Sequence, residues 1–166
     1  MPFKVMSLAL LTGALTLTTL GLVNAQSPVP SQNPSHAPYR PGLGDLMTMT
    51  VQPRHIKLGI AGQQKNWVYA AYALHELEES FERAAEAWPV YRTTNIAEVL
   101  EASMKEPMEA ISRAIKGADS ARFSEAYARL TATCNACHHA TDRAFVVIQA
   151  PANSPFPDQD FRPVRP

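Results

Sequence analysis

From Phe123 onward, one stripe of residues recurs at helical spacing: Phe123, Tyr127, Leu130, Cys134, Cys137 with His138, Thr141 and Phe145. The stripe predicts an amphipathic helix, and the residues inside it constrain that helix further. Cys134-Asn135-Ala136-Cys137-His138 reads C-x-x-C-H, the spacing by which a c-type haem is attached. Two thiols add across the porphyrin vinyl groups, and the adjoining imidazole serves as the proximal ligand of the iron. On a helix Cys134 and Cys137 stand at i and i+3, so both sulfurs leave from one face, and His138 shares it. The expected cofactor is one covalent haem c, held by Cys134 and Cys137 with His138 on the iron. Because these residues continue the core stripe, the group is expected against the interior of the fold.

Other uses of the same residues fit less well. A thioredoxin-like redox pair wants a βαβ setting, which the chain does not show. Structural zinc wants four ligands, and these are the only two cysteines. His138 and His139 are too close in sequence to complete a tetrahedron easily. A disulfide across a two-residue gap within a helix has poor geometry.

The first 25 residues read as a cleavable secretory signal. Lys4 is the positive start, Leu8 to Leu22 the apolar run, and Val23-Asn24-Ala25 the small-residue cleavage site. Export agrees with the motif, since bacterial apocytochromes receive haem outside the cytoplasm; the expected location is the periplasm. Lysine plus arginine and aspartate plus glutamate both number 15. That balance leaves no electrostatic footprint for nucleic acid. Residues 26–42 hold Pro28, Pro30, Pro34, Pro38 and Pro41 among polar residues and read as a linker. His36 within it reads as solvated.

Residues 43–150 read as the structured domain, an all-α antiparallel four-helix bundle with the C-x-x-C-H in its last helix. The first helix runs from Leu43 to about Gly62, with Leu43, Met47, Val51, His55 and Leu58 on one stripe, a kink at Pro53 and Gly62 as its stop. The second starts near Asn66 and ends before Pro89, burying Trp67, Ala70, Ala71, Leu74, Phe81, Ala85 and Trp88. Its acidic run Glu76–Glu82 reads as a solvated face, with Glu79 and Arg83 paired one turn apart. Asn95 with Glu98 forms a capping-box pattern that opens the third helix. That helix buries Ile96, Leu100, Met104, Met108, Ile111 and Ile115, should kink at Pro107 and ends at Gly117. Asp119 or Ser120 caps the fourth. No β pattern is evident. Residues 151–166 form a Pro-rich tail whose Phe156 and Phe161 can fold back on the bundle.

With four helices and Cys134-Asn135-Ala136-Cys137-His138 in the last, the chain resembles the cytochrome c′ family, the class II c-type cytochromes. The stretch LGDLM…RHIKL…AG…NW…AAY around Leu43–Tyr72 also looks like a group of exported bacterial c-type cytochromes. The chain departs from the cytochrome c′ pattern after the motif: Asp142 stands where a basic residue is usual, and Arg143 follows it, which suggests a side branch. The resemblance implies that the first helix presents the residue on the far side of the haem. Met47, Met49 and His55 are on offer. His55 ranks ahead of Met47, and Met49 lies on the opposite side of the helix. His55 has an equally weighted structural reading, as a hydrogen-bonded residue near the Pro53 kink. A ligand there would suit electron transfer, whereas a blocking aliphatic residue leaves five-coordinate iron that binds small gases.

The expected function is therefore a single-electron carrier handing charge between redox partner proteins. The alternative is a gas-binding or sensing protein for NO or CO. Relatives often pair through the outer faces of the bundle, so the resemblance leaves a homodimer open without deciding the oligomeric state. No G-x-S-x-G, H-E-x-x-H or phosphate loop argues for an enzyme.

Overall fold

The computed structural model describes residues 39–164. The expected signal, His36 and most of the Pro-rich linker fall outside the described residues. The fold is mostly helical, with four long helical segments, and is compatible with the expected all-α bundle. Each helix packs on the next, and the first also packs on the fourth. The core is one apolar cluster drawn from all four.

The first helix has three consecutive parts: an α-helical turn at Leu43–Leu46, a π-helical stretch at Met47–Val51 and an α-helix at Gln52–Gln63. The π-stretch explains how Pro53 is accommodated. Proline has no N–H to give, and its ring collides with the carbonyl four residues back. The turn widens instead, so that the Gln52 N–H reaches the Met47 carbonyl, five residues back. The irregularity expected at Pro53 is thus a wide turn just before it. Leu46, Val51, His55 and Leu58 are buried, Met47 is half-buried and Met49 is exposed.

Gly62 does not end this helix. The chain turns left-handed at Lys65, with φ 57°. Its N–H bonds the Gly62 carbonyl while the Asn66 N–H bonds that of Ala61, which is a Schellman closure without glycine. Gly62 and Gly59 serve the helix contact: a Cβ at Gly62 would collide with the Phe123 ring, and one at Gly59 would lie 2.5 Å from the Tyr127 hydroxyl. His55 bonds Thr131, so positions 55, 59 and 62 meet 131, 127 and 123 in turn. The first and fourth helices therefore run in opposite directions where they touch. Gly62→Ala is expected to cost about 3 kcal/mol through overpacking. Gly44→Ala, with nothing within 4 Å of the new methyl, should cost none. Urea unfolding of both variants checks this, and equal midpoints would contradict the contact.

The second helix, Trp67–Ala87, is capped by Asn66, whose side chain accepts from the Tyr69 N–H. Ala70, Ala73, Leu74, Leu77, Ser80, Phe81 and Ala84 form its buried face. Ala71, expected inside, is exposed; the face is centred one position further round, on Ala73 and Leu77. Buried Ser80 donates to the Glu76 carbonyl at 2.7 Å. Glu76 is not simply solvated: it pairs with Arg54 of the first helix at 3.3 Å, and each side chain is about a quarter exposed. Glu79 pairs with Arg83 at 3.0 Å and with His75 at 3.3 Å.

A short hairpin precedes the third helix, contrary to the reading of no β structure. Val90–Tyr91 pairs antiparallel with Thr94–Asn95, with Arg92 left-handed at φ 56°. Two-residue strands are too short to leave an alternating pattern. The third helix, Ile96–Lys116, starts at Asn95, which accepts from the Glu98 N–H. It runs through Pro107, itself buried, and ends at Gly117 with Ala118 left-handed at φ 50°.

The fourth helix, Ser120–Ala140, is capped by Asp119, which accepts from the N–H groups of Ala121 and Arg122. It stops short of Phe145, which is 79 % exposed, so the expected stripe ends a turn early. Asp142 is left-handed at φ 59°, and the Arg143 N–H bonds the His138 carbonyl at 2.7 Å. The tail does fold back. Phe161 is buried edge-on against Tyr69, and Lys57 lies over the Phe156 ring at 4.7 Å. No helix of the described residues is long and apolar enough to cross a membrane.

Candidate functional site

Cys134, Cys137 and His138 lie in the last two turns of the fourth helix, and all three are half-buried. Both thiols are free. Cys134 packs against the core cluster. Burial pushes its thiol up to about 11, with the neighbouring Cys137 adding to the effect. Burial raises the Cys137 thiol as well. Neither thiol is lowered in this environment, unlike the thiols of redox-active pairs. His139 is exposed on the other side of the helix.

His138 is held by a contact absent from the motif itself. Its Nδ1 lies 2.8 Å from the carbonyl oxygen of Val146, eight residues further on. A carbonyl can only accept, so Nδ1 carries the hydrogen. The neutral ring then keeps its lone pair on Nε2. This is the arrangement by which metal-binding imidazoles are oriented and made more basic.

Asn135, the first variable residue of the motif, ties down the same returning segment. Its Nδ2 donates to the Ile148 carbonyl at 2.9 Å, and its Oδ1 accepts from the Ile148 N–H at 2.7 Å. The amide thus pairs with that backbone as a strand would. Arg143 reaches from the start of the segment to the Tyr91 hydroxyl at 3.1 Å, which brings the hairpin to this end of the helix. At the segment's far end, Gln63 donates to the Pro151 carbonyl. Between these ties Phe145 and Val147 stay open to solvent, at 79 % and 64 % exposure.

The structure brings His55 to the fourth helix, with both ring nitrogens engaged. Nε2 lies 3.0 Å from Thr131 Oγ1, and Nδ1 lies 3.0 Å from the Tyr127 hydroxyl. Thr131 donates to the Tyr127 carbonyl, so its oxygen accepts from Nε2–H. Tyr127 donates either to Nδ1 or to the His55 carbonyl at 2.8 Å. Burial lowers the His55 pKa to about 4, and it raises that of Tyr127. The cluster is neutral and fully hydrogen-bonded. A ligand role for His55 would require one of these buried bonds to break. Met47 packs on the edge of the core, and Met49 is exposed.

Spacing alone singled out Cys134, Cys137 and His138 as candidates. It missed Asn135, Val146 and Ile148, whose parts depend on where the chain goes after the helix. Only the polar side chain at Asn135, inside a core-facing motif, hinted at them. Among the described residues no three His, Cys, Asp or Glu side chains gather into a metal-binding cluster. Comparison with family models, curated proteins and solved structures finds no match to this chain.

Proposed function

We propose that this chain is an exported mono-haem c-type cytochrome that carries single electrons between redox partner proteins in the periplasm. The observation that carries this reading is the Nδ1–H of His138 bonded to the Val146 carbonyl, within a C-x-x-C-H whose sulfurs share its helix face. The residues fit the group. Two free thiols are set at i and i+3, and the adjoining imidazole gives its Nδ1–H to a carbonyl, which holds the ring plane and leaves Nε2 for the iron. Exposed Phe145 and Val147 add apolar surface on the segment tied to the motif. When bound, the haem supplies a reversible one-electron couple at its iron. The chain's part is to tether the group, to present Nε2 to the iron and to tune the couple through the second bond at Nδ1.

A second reading, a gas-binding protein, is favoured by one observation. His55, first among the expected distal ligands, spends both nitrogens inside the fold. Absorption spectra of the purified ferrous protein with and without CO or NO separate the two. The electron carrier is expected to be six-coordinate, low-spin and inert to both gases. A high-spin iron that takes up either gas readily would overturn it in favour of the second reading. Met47→Ala then tests the remaining ligand expected from the first helix, with loss of the low-spin spectrum as the positive result.

A further inference from the structure

The motif needs its two cysteines and its histidine; the residues between them are free to vary as far as attachment is concerned. Here one of them is not idle. Asn135 makes a paired bond to the backbone of Ile148, 2.7 Å to the N–H and 2.9 Å to the carbonyl. Two residues before Ile148 lies Val146, whose carbonyl takes the Nδ1 hydrogen of His138 at 2.8 Å. Within one helical turn, therefore, two side chains grip the same returning strand of chain. Asn135 holds the strand, and His138 uses the carbonyl that this hold brings within reach.

The segment has little else to fix it there. Phe145 and Val147 are mostly exposed, Val146 is 38 % exposed and Ile148 is only half-buried, so apolar burial holds it weakly. The Arg143 N–H bonds the His138 carbonyl at one end, and Gln63 bonds the Pro151 carbonyl at the other. Between these ends, among the described residues, only the Val146 N–H, bonded to the Arg143 carbonyl at 2.8 Å, and the Asn135 and His138 bonds give the strand a position. A primary amide suits the task because it donates and accepts side by side and so matches one residue of backbone. Aspartate can match only the N–H half, and its charge would oppose the Ile148 carbonyl.

We infer that Asn135 is the positioning residue for the iron ligand: by clamping Ile148 it fixes the Val146 carbonyl that orients His138 and makes its Nε2 a stronger donor. The inference rests on the proposed haem function. A weaker bond at Nδ1 makes the imidazole less basic and so favours reduced iron. Loosening the clamp should therefore raise the midpoint potential.

The test uses the full chain, exported and matured with a haem-attachment system. Intact mass first establishes the covalent adduct in the unaltered protein. Potentiometry, and resonance Raman of the iron–histidine stretch wherever the ferrous iron is five-coordinate, are then read on Asn135→Ala and Asn135→Asp. The expected result is unchanged haem content and a higher potential in both variants, the alanine being shifted further, with a lower stretching frequency wherever the iron is five-coordinate. An adduct with the potential unmoved would overturn the clamp and leave the cytochrome reading standing. Absence of any adduct in the unaltered protein would overturn the cytochrome reading itself, and the clamp with it. Should neither variant fold, hydrogen exchange in the unaltered haem protein decides. An Ile148 amide protected from exchange supports the clamp, and one exchanging at the rate of unstructured chain refutes it.

Discussion

Changing Cys134 and Cys137 together to serine is expected to abolish covalent haem completely, while the unaltered protein gains the mass of one haem and keeps it through acid-acetone extraction. The double variant retains His138, so any haem it holds would be bound by the iron alone and would extract. His138→Ala should behave in the opposite way. The mass of the adduct should persist, because both sulfurs remain, and the visible spectrum should change, because the proximal nitrogen is gone. The pair of results separates tethering from ligation. Without an adduct on the unaltered protein, the reading of the last helix as a haem carrier fails. A spectrum unchanged by His138→Ala would remove only the role given to His138.

Between pH 6.5 and 4 the protein is expected to lose stability on the order of 3 kcal/mol through His55 alone. Its folded pKa is depressed to about 4 from an ordinary 6.5. In that window the unfolded chain takes up a proton that the folded chain refuses. Stability from this source is complete above 6.5, falls as the pH drops towards 4, and falls no further below that. His55→Leu should flatten this part of the profile. Tyr127 would still donate to the carbonyl of residue 55, and Thr131 to that of Tyr127, so neither hydroxyl is orphaned. Urea unfolding of both proteins across the window reads the difference. Parallel curves would mean that His55 does not titrate in the buried, neutral state described for it.

Much of the helical layout was legible from residue spacing and from three polar caps. Asn66, Asn95 and Asp119 each accept from N–H groups two or three residues on, as short polar residues ahead of an apolar stripe should. Gly117 ends the third helix as expected, but Gly62 misled, since the usual sign of a helix end is a glycine that can turn left-handed. Gly62 is instead needed small against Phe123, and the left-handed turns fall on Lys65, Ala118 and Asp142. The π-stretch before Pro53 escaped because spacing signals that a proline disturbs a helix but not where the turn widens. His55 was ambiguous because a core-facing histidine beside a proline serves a ligand role and a structural one equally well. Only its two partners on the fourth helix, 72 and 76 residues away, describe its environment. Around the motif the same limit applied: the spacing named the residues proposed to hold the haem, while the bond behind His138 comes from a carbonyl eight residues on.

Asn66 joins two events that might otherwise occur separately. Its oxygen caps the second helix through the Tyr69 N–H, and its nitrogen holds the carbonyls of Phe161 and Arg162. Peeling away the C-terminal stretch therefore also frays the start of that helix, and the two should melt as a single cooperative unit. A bulky fusion attached at the C-terminus would pull on the same joint, which makes that end a poor place for a rigid reporter domain.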